Sequence, residues 1–202
     1  MDSKSTSKDV PGFDKLFWLG EPGISRSFRG KINLKRDEVF GLTRAEIQPP
    51  HPIKVEWAMG RARPIEVIWT TMGTAMIIAD SVVQMLRAHG FTGWSLYELA
   101  VQDKQGQPVL GYSGLAVPGR CGKLEQSMSV QVPRIYPGGI FPVWKGLLFE
   151  PSTWDGSDFF MPAGKTGYVF VVEAVKQAFE KAKIRDVEFE PLDQFEHSWT
   201  ID

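Results

Sequence analysis

The residues best equipped for chemistry are the carboxylates that follow position 185. Asp186, Glu188 and Glu190 alternate with Val187 and Phe189, and side chains two apart on a strand share a face. Such a row can hold a divalent cation or act as a general acid–base pair. It is equally the pattern of a half-buried strand with one solvated side. The acidic character continues through Asp193, Glu196 and Asp202, so the row also suits docking of a basic partner, which needs no catalytic geometry.

Other reactive residue types lack a partner set. Gly164-Lys165-Thr166 looks like the end of a phosphate-binding loop. That motif needs Gly where position 159 is Phe, and a helix where Gly167 and a β-like run follow. His51, His89 and His197 share no metal-ligand spacing. Cys121 lies in Gly119-Arg120-Cys121-Gly122. The adjacent Arg favours a thiolate, but no partner base is visible, and a lone small Cys in a glycine-flanked bend reads as a buried residue. No catalytic residue, metal-ligand set or cofactor is assigned.

The most distinctive stretch is Trp154-Asp155-Gly156-Ser157-Asp158-Phe159-Phe160. Asp155-Gly156 reads as a tight turn whose Asp and Ser side chains bond back to turn amides. Trp154, Phe159 and Phe160 then pin that turn to a core, which favours a structural use over a binding one.

Positioning these residues requires strands and two helices. Val82, Met85, Leu86 and His89 fall at i, i+3, i+4 and i+7, predicting a helix that starts at Asp80 or Ser81, is capped by one of them, and ends at Gly90. Val175, Ala178, Phe179 and Ala182 repeat that spacing and predict a second helix over residues 173–183. Strands are predicted at 13–19, 53–59 and 65–69, and a hairpin joins 94–101 to 109–117 through a turn at 103–108. Residues 25–36 are basic and poorly periodic, and 48–52 form a stiff proline connector. An apolar run at 167–172 precedes the second helix, and an alternating run at 187–192 follows it.

At an offset of 93, residues 76–99 and 169–192 share one plan: apolar stretch, amphipathic helix, turn, strand. Duplication of a strand–helix–strand unit and common folding physics both account for the match. The fold class expected is α+β, a mixed or antiparallel sheet with few helices.

Composition sets the outer bounds. The 202 residues carry 23 Lys plus Arg against 24 Asp plus Glu, a net charge of −1. That lacks the basic surplus of a nucleic-acid binder. Hydrophobic residues at 43% and aromatics at 12% suit a folded core. The domain reading is a mobile tail over 1–12 and one α+β domain over 13–202, with sub-halves 13–135 and 136–202 as an option. One Cys excludes an internal disulfide, and no apolar run matches a signal peptide or membrane span. A cytoplasmic location and no membrane partner are expected. A homo-oligomer through an unpaired strand edge stays open.

Several stretches resemble the immunity-protein families of bacterial polymorphic toxin and contact-dependent competition systems, an α+β group with repeated strand–helix–strand units. They are residues 77–83 with Gly90-Phe91-Thr92-Gly93, residues 112–117 leading into Gly119-Arg120-Cys121-Gly122, residues 154–160, and the closing unit 168–192. The resemblance spans 65–192. A related family carries paired CxxC motifs, whereas this chain has only Cys121, so a metal role does not carry over. The resemblance implies a non-enzymatic protein that binds a cognate toxin, encoded beside its gene, and blocks it sterically. Asp186, Glu188, Glu190, Asp193 and Glu196 are the partner-binding candidates. The alternatives are a small metal-dependent enzyme using Asp186, Glu188 and Glu190, and a scaffold or regulatory protein.

Overall fold

The computed structural model of this chain describes residues 11–23, 26–164 and 166–198. Most of the expected tail at 1–12 lies outside the described residues, as do Lys165 and Asp202. In chain order the elements are β1 (Leu16–Gly20), β2 (Arg29–Ile32), α1 (Arg36–Thr43), β3 (Ile53–Met59), β4 (Val67–Thr70), β5 (Met76–Ala79) and α2 (Asp80–Ala88). There follow β6 (Ser95–Tyr97), β7 (Leu99–Gln102), β8 (Pro108–Val109), β9 (Tyr112–Ala116), β10 (Arg120–Cys121), β11 (Val130–Tyr136) and β12 (Gly139–Lys145). The last are β13 (Phe159–Pro162), β14 (Val169–Val172), α3 (Glu173–Lys181), β15 (Glu188–Pro191) and β16 (Glu196–His197). The fold is α+β, mostly sheet with few helices, as its residue pattern predicted.

One sheet runs β6-β9-β5-β4-β2-β3-β7-β8, a second β10-β13-β14-β1-β15, and a small third β11-β12-β16. They are mixed: β2 with β4, β3 with β7, and β10 with β13 run parallel, while the other pairs are antiparallel. Strand alternation divides the apolar residues between layers. Phe17, Leu19, Phe159, Met161 and Val171 from the five-stranded sheet join Val67, Trp69, Met76, Ile78 and Leu115 from the eight-stranded one in a shared cluster. Val82 and Leu86 of α2 and Val175 and Phe179 of α3 complete it. The opposite side of the large sheet is covered by Val39 and Leu42 of α1, over Val55, Ile68 and Ile77. The opposite side of the five-stranded sheet carries Leu16, Phe160 and Phe170 against Leu124, Leu147 and Phe149.

The offset of 93 is structural. Starting residues of β5, α2 and β6 are Met76, Asp80 and Ser95; those of β14, α3 and β15 are Val169, Glu173 and Glu188. Both helices end the same way: Phe91 N–H donates to Leu86 O (3.3 Å) and Ile184 N–H to Phe179 O (3.1 Å). In each connection the residue after the C-cap and the one three further on have positive φ: Gly90 (66°) and Gly93 (78°), then Lys183 (56°) and Asp186 (60°). The first unit uses the residue suited to left-handed backbone and the second does not.

In each unit a strand from outside it fills the gap between the two strands that flank the helix. Leu115 of β9 sits between Met76 of β5 and Leu96 of β6. Leu19 of β1 sits correspondingly between Val169 of β14 and Phe189 of β15. The five-stranded sheet is thus completed by β1 from the start of the chain, whereas the eight-stranded sheet is drawn wholly from residues 29–116.

Several boundaries differ from the sequence expectations. The strand expected over 13–19 begins at Leu16, because Phe13–Lys15 forms a 3₁₀ turn. The expected helix cap is corrected: Ala79 is the N-cap, with no side-chain bond, and Asp80 is the first helical residue, where its charge suits the helix dipole. The second helix stops at Lys181 rather than 183. The two predicted hairpin strands each break in two. β6 and β9 pair at one edge of the large sheet, while β7 and β8 pair at the other, around the Asp103 turn. In that turn Asp103 Oδ1 accepts the N–H groups of Gln105 and Gln107. The basic segment holds β2 and leads into α1, which its weak periodicity concealed. No helix among the described residues is long and apolar enough to cross a membrane.

Candidate interaction surface

Residues 130–136 and 139–145 are rich in β-branched and aromatic types on either side of Pro137-Gly138, a composition that forms a hairpin. β11 and β12 pair in register from Val130 with Lys145 to Tyr136 with Gly139. The base of this arm is fixed to the body. Trp144 and Lys145 pair with His197 and Glu196 of β16, Gly146 N–H donates to Phe195 O at 2.8 Å, and Ser129 Oγ donates to Gly146 O at 2.9 Å. Val143 is buried there. Beyond that anchor every residue of β11 except Val132 is exposed, as are Gly139 to Pro142.

What the arm exposes is apolar. Ile135 is 84% exposed, Ile140 69%, Val130 64%, and Tyr136 and Phe141 close to half, with their rings 6.1 Å apart. Cross-strand partners share a face. One face therefore presents Pro133 with Pro142 and Ile135 with Ile140, and no charge. The other presents Val130, Arg134, Tyr136 and Phe141. Burying such side chains stabilises a protein by roughly 1.5–3 kcal/mol each, and here that stabilisation is forgone. Contiguous exposed apolar surface of this kind makes the arm a candidate interaction surface.

On its charged face the arm meets part of the acidic row. Arg134 makes a two-pronged ion pair with Glu196, its Nε donating to Oε2 at 2.6 Å and its Nη2 to Oε1. That guanidinium holds the Glu196 carboxyl below its ordinary range. Glu190, on the edge strand β15, is shifted the other way: partial burial raises it, and Glu188 and Glu196 add like charge. Glu196 is thus held by Arg134, and Glu190 lies within charge range of both Glu188 and Glu196; nothing in the residue pattern singled out Arg134. The arm too was missed, although Pro137-Gly138-Gly139 between two β-rich runs was its signal.

Two members of the row are placed differently. Asp186 does not share a strand face with Glu188 and Glu190; it occupies the left-handed turn before β15, and its carbonyl accepts the Trp69 indole N–H at 2.7 Å. Asp193 lies in the turn after β15, with Oδ2 accepting from Gln194 at 2.9 Å and Oδ1 buried without a hydrogen-bond partner. Among the described residues no group of three or more His, Cys, Asp or Glu is arranged to hold a metal ion. The row read as a metal-dependent catalytic set lacks the geometry that reading needs.

The stretch at 154–160 is a structural clamp. Asp155 Oδ1 accepts Ser157 N–H at 2.9 Å and Oδ2 accepts Arg120 N–H at 2.7 Å, tying the turn at Gly156 to β10. Asp158 Oδ2 accepts both the amide and the hydroxyl of Thr92 at 2.8 Å, joining the two units. Trp154 packs on Phe160, and Phe159 and Phe160 are fully buried. Cys121 is buried, and desolvation pushes its thiol up to about 12, against a nucleophilic role. His89 caps α2 through Met85 O at 2.9 Å, and His197 is buried beside Gly146 O. A groove of about 320 Å³ between α1 and the proline connector, lined by Leu42, Ile47, Pro49 and His51, brings no nucleophile–base pair together.

No protein-family model matches this chain, and a search of curated proteins returns no significant match.

Proposed function

We propose that this protein is a cytoplasmic, non-enzymatic binding protein that neutralises a cognate bacterial toxin domain by covering it. The observation that carries this reading is the rigidly anchored arm, which exposes Ile135, Tyr136, Ile140 and Phe141 beside the acidic group Glu188, Glu190 and Glu196. An apolar anchor set flanked by charge is the usual anatomy of a protein interface. The likeness of residues 65–192 to toxin-immunity proteins supplies the class of partner. Asp186 and Asp193 lie in the turns on either side of β15 rather than on the strand, and contribute to the shape of the surface. The test is co-expression with the product of the adjacent gene, followed by pull-down and growth rescue. Co-purification with restored growth is the expected result. A folded protein that neither binds that product nor protects the cell ends the proposal.

A further inference from the structure

We infer that the arm enters an apolar cleft on its partner whose rim carries Lys or Arg, with Glu188 and Glu190 facing that rim. This rests on the binding reading above and specifies the chemistry of the partner.

Three observations select a cleft. First, the arm exposes apolar side chains on both faces: Ile135 and Ile140 on one, Tyr136 and Phe141 beside the ion-paired Arg134 on the other. A flat surface covers only one face of a two-stranded ribbon, and a cleft covers both. Second, Pro133 lies directly opposite Pro142. Proline has no N–H, so at this level neither edge can donate to an added strand. Recognition by strand addition, the simplest route for a second copy of this chain, is blocked midway along the arm. Contact must be made through side chains, which a cleft provides.

Third, the charge beside the arm is unbalanced. Arg134 and Lys145 both act on Glu196. Among the described residues no ion pair engages Glu188 or Glu190, and Glu190 feels Glu188 and Glu196 as like charges. A cationic rim relieves that crowding. A second copy would set one acidic group against another, and an anionic membrane would be repelled by the same carboxylates. The apolar end supplies the contact area, and the carboxylates supply encounter rate and orientation.

The experiment uses the full chain, two double variants and the adjacent-gene product. Ile135→Ser with Ile140→Ser should weaken binding by about 100-fold or more, chiefly through faster dissociation, with the thermal midpoint unchanged. Glu188→Gln with Glu190→Gln should weaken it by about tenfold, chiefly through slower association, and should flatten the salt dependence. Wild-type binding by both double variants, in a protein that still rescues growth, overturns the cleft inference and leaves the proposed function standing. No binding and no rescue by the wild type overturns both. Two controls name the remaining occupants of the arm. Flotation with phosphatidylcholine vesicles, or concentration-dependent dimerisation in sedimentation, abolished in either case by the isoleucine pair, assigns it to a lipid surface or a second copy and overturns the inference.

Discussion

The two strand–helix–strand units are built alike and decorated differently. In each, a long insertion separates the parallel strand pair that precedes the helix: residues 33–66 between β2 and β4, and residues 122–158 between β10 and β13. The first insertion folds down, and its α1 and β3 bury Val39, Leu42, Ile53 and Val55 over the large sheet. The second buries Leu124, Leu147 and Phe149 and, at the base of the arm, Val143, and leaves the rest of the arm exposed. Equivalent frames thus carry one insertion that spends its apolar residues on stability and one that withholds them. The frame does not require that exposure, and under the proposed function it serves the contact with the partner.

The sharpest break between the insertions is energetic. Leu42→Ala, at a site 1% exposed, should cost about 2–5 kcal/mol in urea unfolding. Ile140→Ala should change stability by less than about 0.5 kcal/mol. A comparable loss at Ile140 would mean the arm packs against the body in solution. The helix ends give a smaller contrast. Gly90→Ala should cost about 1 kcal/mol, while Lys183→Gly should gain up to about 1 kcal/mol by relieving left-handed backbone. Thermal melts of the two variants with opposite signs would confirm the equivalence of these positions, and equal signs would break it.

The smallest effects concern the acidic group. Carboxyl titrations by NMR should place Glu190 above the ordinary glutamate range and Glu196 below it. For Glu190 the raised value means its contribution is full below the unfolded pKa and is lost as pH rises through the folded one. For Glu196 the lowered value means its contribution is present above the unfolded pKa and is lost as pH falls through the folded one. Arg134→Gln should return Glu196 toward the ordinary range and leave Glu190 raised. Shifts of one sign at both residues would contradict the arrangement around Arg134.

Much of the frame was legible because it is local. Helices α2 and α3 announce themselves by apolar spacing on one face, and β3 matches its alternating run at both ends. Helix α1 was hidden because its eight residues carry Gly41 in their midst and only a short apolar stripe. The breaks at Glu98 and at Leu110-Gly111 could not be read from residues that are individually good strand formers, since they arise where neighbouring stretches take different partners. The candidate site was half legible. Glu188 and Glu190 were visible as a row, but Arg134 reaches Glu196 across a sequence separation of 62, a contact set by tertiary pairing.

The position of β1 in the second sheet bears on how the chain comes to exist. Leu19 pairs with Val169, so an interior strand of the second sheet is made near the beginning of synthesis and waits for neighbours made 150 residues later. At roughly 5–20 residues per second that is a wait of order ten seconds, during which Leu16–Gly20 is an unpaired apolar strand. Such long-range closure also places the protein among slow folders. The eight-stranded sheet, drawn wholly from residues 29–116, has all its strands early, so a ribosome that stalls midway leaves Leu16–Gly20 exposed beside a sheet whose shared core is unfilled.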